Sequence, residues 1–257
     1  MGNFIIAAGH TASGNVGCGV VDRLDESNCT REISSLVVLY LEQLGHYAKL
    51  LRIDKSNTYN CQDCYERAEE ANDIAQSIIN IDLYVEIHIN AGGGTGSEVL
   101  TISKSEVAKS AAYRISKSLS QKLGIPNRGV KSANLIVLKK TSMPAILVEC
   151  LFADSSDAEK YNADLIARAI VNGLLGENSC ENNIWKLGWN RNDKGWWFCT
   201  DVVNKHYYTS KDGWKLIDGD WFIFDENGYA LQNTWYHDEN DGKNYYLGDD
   251  CRICKSK

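Results

Sequence analysis

The feature that most constrains this chain is the confinement of its tryptophans. All seven lie between Trp185 and Trp235, while the first 180 residues alternate between apolar strand and helix patterns with almost no aromatic clustering. A length of 257 residues leaves room for one or two domains, since a domain takes roughly 100 to 200 residues. So abrupt a change of residue usage favours two. The expected division is a first domain over 1–175, a short polar linker over 176–183 (GENSCENN) and a second domain over 184–257.

In the first part a buried strand is predicted over 3–8, delivering Gly9 and His10 to its carboxyl end, followed by a polar loop over 11–25. Ile33, Leu36, Val37, Tyr40, Leu41 and Leu44 recur at three- and four-residue steps, which predicts an amphipathic helix over 28–44, ended by Gly45. Strands are predicted over 47–53, 83–89, 98–102, 135–138 and 145–150, and helices over 64–79, 106–123 and 157–175. Strands alternating with helices imply an α/β domain, a mostly parallel twisted sheet with helices on both faces. In such sheets, function collects beyond the carboxyl ends of the strands.

After the linker the pattern becomes a repeat. Trp189, Trp214 and Trp235 are 25 and 21 residues apart, and Trp196 and Trp221 each follow seven residues after the first two. Glycine precedes tryptophan at Gly188, Gly195 and Gly213, and Trp197-Phe198, Tyr207-Tyr208 and Tyr245-Tyr246 form aromatic pairs among Asn-Gly, Asp-Gly and Asn-Asp turn signals. This predicts a small all-β domain of repeated hairpins sharing a core.

A net charge of −7 argues against nucleic acid as a partner, because phosphates are bound chiefly through Lys and Arg. No apolar stretch approaches the roughly 20 residues that cross a bilayer, so no membrane association is expected. The first residues, Met-Gly-Asn-Phe-Ile-Ile, lack the basic and apolar regions of a signal peptide. The expectation is synthesis in the cytoplasm without an export signal. In that compartment the nine cysteines are expected as thiols. Cys61/Cys64 and Cys251/Cys254 form two C-x-x-C pairs, but in different domains and without a partner pair at zinc-finger spacing, and are read as incidental.

Four residues of the first domain carry a chemical signal. His10 follows the first strand, Glu26 precedes the first long helix, and His88 closes Tyr-Val-Glu-Ile-His-Ile. Two imidazoles and a carboxylate with a fourth position open to water form a common catalytic zinc set. Glu149, at the tail of an apolar strand, is a carboxyl whose pKa burial would raise, suited to accept a proton and return it. Taken singly, His10 and His88 have the ordinary alternative of a hydrogen-bonded structural histidine and Glu26 that of a solvated surface charge, whereas Glu149, at the tail of an apolar strand, is costly there unless it has a partner.

Six ordered segments together resemble the zinc-dependent N-acetylmuramoyl-L-alanine amidases with an α/β core. They are Ala8-Gly9-His10; Glu26, lying nineteen before the glycine of Leu44-Gly45-His46-Tyr47; Glu66-Arg67-Ala68 with Ala71-Asn72; Glu86-Ile87-His88-Ile89-Asn90-Ala91; Asn127-Arg128-Gly129-Val130-Lys131; and Met143-Pro144-Ala145-Ile146-Leu147-Val148-Glu149. The resemblance implies His10, Glu26 and His88 as ligands of one Zn²⁺ and Glu149 as the catalytic acid/base. Asn90 and Arg128 are the expected substrate contacts, with a surface salt bridge the competing reading for Arg128. Two departures stand out. The family's Gly-His-Gly-Gly is here Gly9-His10-Thr11-Ala12, and Glu32 is a second acidic residue in the same helix, less well spaced than Glu26. The implied reaction is hydrolysis of the amide joining the lactyl group of N-acetylmuramic acid to L-alanine in bacterial peptidoglycan.

The second domain is similar, more loosely, to choline-binding or related cell-wall-binding repeats. Acidity would repel anionic wall polymers, so attachment is expected through aromatic rings. Trp189, Trp197, Trp214, Trp221 and Trp235 are the candidates, for choline-bearing teichoic acid through cation–π attraction or for a stacked saccharide, although most of these rings also suit a hairpin core. The expected role is a bacteriophage endolysin. A host autolysin or sporulation amidase of the same chemistry, a catalytically inactive wall-binding protein and a zinc peptidase acting on the stem peptide are the alternatives.

Overall fold

Nearly continuous apolar runs produce the central strands. In the computed structural model, β1 (Asn3–Ala8), β3 (Leu83–Asn90) and β6 (Ala145–Phe152) are buried over almost their whole length, as strands covered on both faces must be. The structure describes all residues except 58–60, 78–79, 177–184, 193, 203 and 257. It divides into two units, Met1–Asn183 and Ile184–Lys257. Of the expected linker, 177–183 lie outside the described residues, as do the last two positions of the helix expected over 64–79.

With β2 (Tyr47–Leu51), β4 (Ser97–Leu100) and β5 (Asn127–Lys131), the first unit forms a six-stranded sheet in the order β2-β1-β3-β6-β4-β5. Strands β1, β2, β3 and β6 run parallel, β4 is antiparallel to β6, and β5 is parallel to β4. The mostly parallel sheet expected from the sequence is therefore present, with helices on both faces. On one face α2 (Gln62–Ser77) and α4 (Ile136–Lys140) enclose a cluster of Ile5, Leu51, Ala71, Tyr84, Val137, Leu138 and Leu147. On the other, α1 (Glu26–Gln43), α3 (Glu106–Leu123) and α5 (Ala163–Leu175) pack together. Helix α1 begins where Asp25 accepts a hydrogen bond from the Asn28 backbone N–H at 3.1 Å, a side-chain N-cap. It ends just before Gly45 and buries Ile33, Val37, Tyr40 and Leu41.

Three sequence expectations need correction. The strand expected over 135–138 is the short helix α4, because Val137 and Leu138 pack against Ala71, Ile74 and Ala75, and a four-residue apolar run satisfies either period. The fifth strand is instead β5, whose Asn-Arg-Gly-Val-Lys is mostly exposed and carries no apolar alternation, as suits a sheet edge. The helix expected over 157–175 is split into a 3₁₀ turn (Ser156–Lys160) and α5, where Asn162 accepts from the Leu165 N–H at 3.0 Å and starts a new helix.

Register then aligns chemistry. His88 of β3 lies opposite Glu149 of β6, and Glu149 opposite Glu98 of β4. Directly paired residues point to the same side of a sheet, so the three side chains form one row across it.

The second unit consists of three small antiparallel sheets: β7 (Gly188–Asn192), β8 (Gly195–Asp201) and β9 (His206–Tyr207); β10 (Lys215–Ile217) and β11 (Asp220–Phe222); and β12 (Thr234–His237), β13 (Asn244–Leu247) and β14 (Ile253–Ser256). Ile217, Phe222, Phe224, Ala230 and Cys251 form its core, with Trp189, Trp196, Phe198 and Tyr208 packed around them. Among the described residues, no helix is long and apolar enough to cross a membrane, and the eight described cysteines are free thiols.

Candidate active site and metal centre

His10 lies two residues beyond the end of β1, and its left-handed backbone (φ 62°) turns the chain sharply there. Its carbonyl accepts from Arg31 Nη2 at 3.2 Å, and Gly9 O accepts from Thr30 Oγ1 at 3.2 Å, so α1 holds the turn in place. His10 Nδ1 is 3.1 Å from Gly17 O, and Nε2 is 3.3 Å from Glu26 Oε1. Glu26, the buried first residue of α1, accepts from the backbone N–H of Ile89 (3.0 Å) and of Val20 (3.1 Å). His88 Nδ1 is 3.0 Å from the same Glu26 oxygen, while its Nε2 is 2.9 Å from Glu86 Oε1. Glu32, the competing acidic residue, is exposed and accepts from the Tyr161 hydroxyl at 2.7 Å, away from both imidazoles.

The ligand atoms of His10, Glu26 and His88 lie within 4.8 Å of one another, and two imidazole nitrogens with one carboxylate are a donor set that suits zinc. The surrounding backbone is cut to fit them. A Cβ on Gly9 would come within 2.5 Å of the His88 ring, and one on Gly19 within 2.4 Å of Glu26 Oε2. Gly9→Ala is therefore expected to displace His88, costing about 1–3 kcal/mol as overpacking does. A lower melting temperature together with weaker zinc uptake in a titration would check it.

Burial opposes the charge on Glu26, but hydrogen bonds to His10 and His88 hold its carboxyl well below the usual carboxylate range. Burial likewise opposes a charged His88, yet hydrogen bonds to Glu26 and Glu86 push it up to about 10. Without a metal, His88 thus keeps a proton between two carboxylates. Any cation bound there must displace that proton, so binding weakens as the solution is acidified.

Glu149 stands beside His88 in the sheet. Burial pushes its carboxyl up to about 7, the charges of Glu26 and Glu98 adding to the effect and His88 opposing it. Its Oε2 is buried without a hydrogen-bond partner among the described residues. A carboxyl poised near neutrality with an unsatisfied oxygen is equipped to move protons.

Arg128 Nε and Lys131 Nζ both lie 2.5 Å from Glu98 Oε2, and the Arg128 guanidinium sits 5.1 Å from the centre of the Phe152 ring. Asn90 Nδ2 is 3.4 Å from Glu98 Oε1. The two expected substrate contacts are thus brought together around Glu98, with Arg128 in the salt bridge that competed with the substrate reading. Glu86 and Arg67, present in the matching segments but without a role assigned from the sequence, are both fully buried. The signal was available for Glu86, since a charged residue inside a strand apolar on both faces requires a partner, whereas Arg67 lies in the helix α2 and is buried there.

The five candidate tryptophans of the second unit do not share one pocket. Trp214 and Trp221, with Asp238, Tyr245 and Ile253, line a cavity of about 280 Å³, in which Trp214 Nε1 donates to Asp238 Oδ2 at 2.8 Å. Trp189 lines a second cavity with Trp196, Phe222, Asp250, Cys251 and Arg252. Trp197 packs edge-on against Trp185 and Tyr229, and Trp235 lies against Tyr246.

Residues 4–175 match the family model described as N-acetylmuramoyl-L-alanine amidase. Over 100 residues the chain is 40% identical to N-acetylmuramoyl-L-alanine amidase CwlM of Bacillus licheniformis, covering 36% of this chain and 39% of that one. It is also 40% identical over 100 residues to the endolysin of Bacillus phage SPP1, covering 36% and 35%. Among solved structures, the catalytic domain of the CD27L endolysin targeting Clostridia Difficile superposes with a TM-score of 0.61 at 25% identity, over 69% of this chain and 99% of that one. The matched stretches span about a third to a half of the curated relatives' own length. By its fold, by the convergence of His10, Glu26 and His88, and by the match over residues 4–175, the chain belongs to the N-acetylmuramoyl-L-alanine amidase family.

Proposed function

We propose that the first unit hydrolyses the amide between the lactyl group of N-acetylmuramic acid and the L-alanine of the stem peptide, with one Zn²⁺ held by His10, Glu26 and His88. When bound, zinc supplies a Lewis acid that polarises a carbonyl and makes water a nucleophile at neutral pH. Glu149 takes the proton of the attacking water and delivers it to the alanine nitrogen as the amide breaks, a task its raised pKa suits. Glu98 holds Arg128 and Asn90, and in this reading the two contact the substrate. The observation that carries the reading is the convergence of two imidazoles and a carboxylate with the orphaned Glu149 oxygen on the adjoining strand.

Mass spectrometry of digested walls tests it. Stem peptides with a free alanine N-terminus are expected, whereas fragments cut within the stem peptide would make the enzyme a peptidase. The likeness to the endolysin of phage SPP1 and to the CD27L endolysin catalytic domain supports a lytic role in phage release. The likeness to CwlM supports the alternative of a host amidase.

For the second unit we propose attachment to the wall through its aromatic rings. Two indoles and a phenol around the Asp238 carboxylate suit a quaternary ammonium such as the choline of teichoic acid. Trp221 is 48% exposed and lies outside the core, so Trp221→Ala removes a binding surface with little cost in folding. Losing one such contact, worth roughly 0.5–2 kcal/mol, is expected to weaken sedimentation of the full chain with purified walls by about 2- to 30-fold. Competition by free choline is expected, and a saccharide ligand would leave binding unchanged in choline.

A further inference from the structure

Tyr84, Glu86 and His88 alternate along β3 and therefore project from the same face. Tyr84 donates its hydroxyl to Glu86 Oε2, while Glu86 Oε1 lies 2.9 Å from His88 Nε2. From α2, Arg67 brings its Nε to 3.3 Å from the same Oε1, an ion pair without hydrogen-bond geometry. Arg67 Nη1 donates to Asp63 Oδ2 at 3.0 Å. Glu86 and Arg67 are each only 1% exposed, and burying such charges is costly unless something compensates. Neutralising Arg67 does not explain the arrangement, because Asp63 already faces it one helical turn away. Two carboxylates against one guanidinium leave one negative charge in excess, and Glu86 presents it to the imidazole.

We propose that Glu86 is a positioning residue for the metal: it accepts the Nε2–H of His88 and so turns the Nδ1 lone pair toward His10 and Glu26. The inference rests on the zinc site proposed above. His88 is held at both nitrogens, with Nδ1 toward Glu26 and Nε2 toward Glu86, so its ring orientation is fixed, and a cation taken up at Nδ1 leaves the remaining proton on Nε2, toward Glu86. An imidazole hydrogen-bonded to a carboxylate is also a stronger donor than one bonded to a neutral acceptor. His10, whose Nδ1 faces the neutral Gly17 carbonyl, has the neutral arrangement. The two imidazoles are therefore unequal, and His88 anchors the ion.

The test uses the full chain with ¹⁵N-labelled histidine and Zn²⁺ as the probe. In the zinc-loaded native protein, NMR is expected to show His88 bound to metal through Nδ1 with a slowly exchanging proton on Nε2. Zinc bound through Nε2 would overturn the role of Glu86 while leaving the metal site intact. A native chain that takes up no zinc would overturn both. Glu86→Gln removes the charge with little change of shape, and competition against a chromophoric chelator is expected to show zinc bound about 10- to 100-fold more weakly, with faster exchange of the Nε2 proton. Unchanged affinity and unchanged exchange would mean that Glu86 serves only Arg67, and the inference falls. Should Glu86→Gln fail to fold, the tautomer measured in the native protein decides alone.

Discussion

Replacing Glu149 by Gln is expected to slow release of stem peptides from purified walls by about 10²- to 10⁴-fold, the usual contribution of a positioned acid/base. The substitution keeps the shape of the side chain but removes its capacity to take up and return a proton. Zinc content is expected to stay at the native level, because Glu149 is not among the three converging ligand atoms. Folding is expected to survive, since the amide removes an ionisable group whose charge is poorly solvated and whose Oε2 has no hydrogen-bond partner among the described residues. The native rate should carry an acid limb. A carboxyl lifted to about 7 by burial becomes a base only as pH rises through that value, and a bound cation draws the limb to lower pH. In the Gln variant that limb should vanish. Initial rates across pH, paired with elemental analysis, check both points; a variant within about tenfold of the native rate would remove Glu149 from the chemistry.

Glu26→Ala is expected to have the other large effect, loss of both zinc and activity. Glu26 joins the two imidazoles through one oxygen, Oε1, and is itself fixed by the backbone N–H groups of Ile89 and Val20. Without it, His88 retains Glu86 and His10 retains the Gly17 carbonyl, so the histidines lose the carboxylate they share. Zinc measured by elemental analysis after dialysis should fall from one ion per chain to background, and wall digestion should fall with it. Glu32→Ala, in contrast, is expected to leave both unchanged, because Glu32 faces Tyr161 on an exposed surface. For the native chain, zinc affinity should decline on acidification as the proton on His88 competes with the ion.

Much of this geometry was legible in the residues because it is carried by short motifs at the ends of regular elements. Gly9-His10 follows a strand that is apolar almost throughout, and Glu26 opens a helix whose apolar stripe is regular, so both are placed once those elements are found. His88 and Glu149 lie in largely apolar strands buried over almost their whole length, where a polar side chain stands out. Glu86 satisfies the same logic but lies inside the His88 motif, where the sequence assigns it no role, and its contacts with Tyr84, Arg67 and His88 separate that role from its neighbour's. Edge structure was harder to read. Nothing in Asn-Arg-Gly-Val-Lys signals β5, because an exposed edge strand does not need alternating burial. Leu-Ile-Val-Leu carries an apolar run that a helix and a strand bury equally well, and tertiary packing on α2 made it a helix. In the second unit the tryptophan spacing gave hairpins, but it did not say which rings share a cavity. That depends on how the hairpins stack, and it joins Trp214 to Trp221 rather than to Trp197 or Trp235.

The most direct measurement is anomalous scattering at the zinc edge from crystals of the full chain grown with Zn²⁺. One peak in the first unit is expected, held by His10, Glu26 and His88. A peak elsewhere, or a chain free of zinc that digests walls at its full rate, would contradict it.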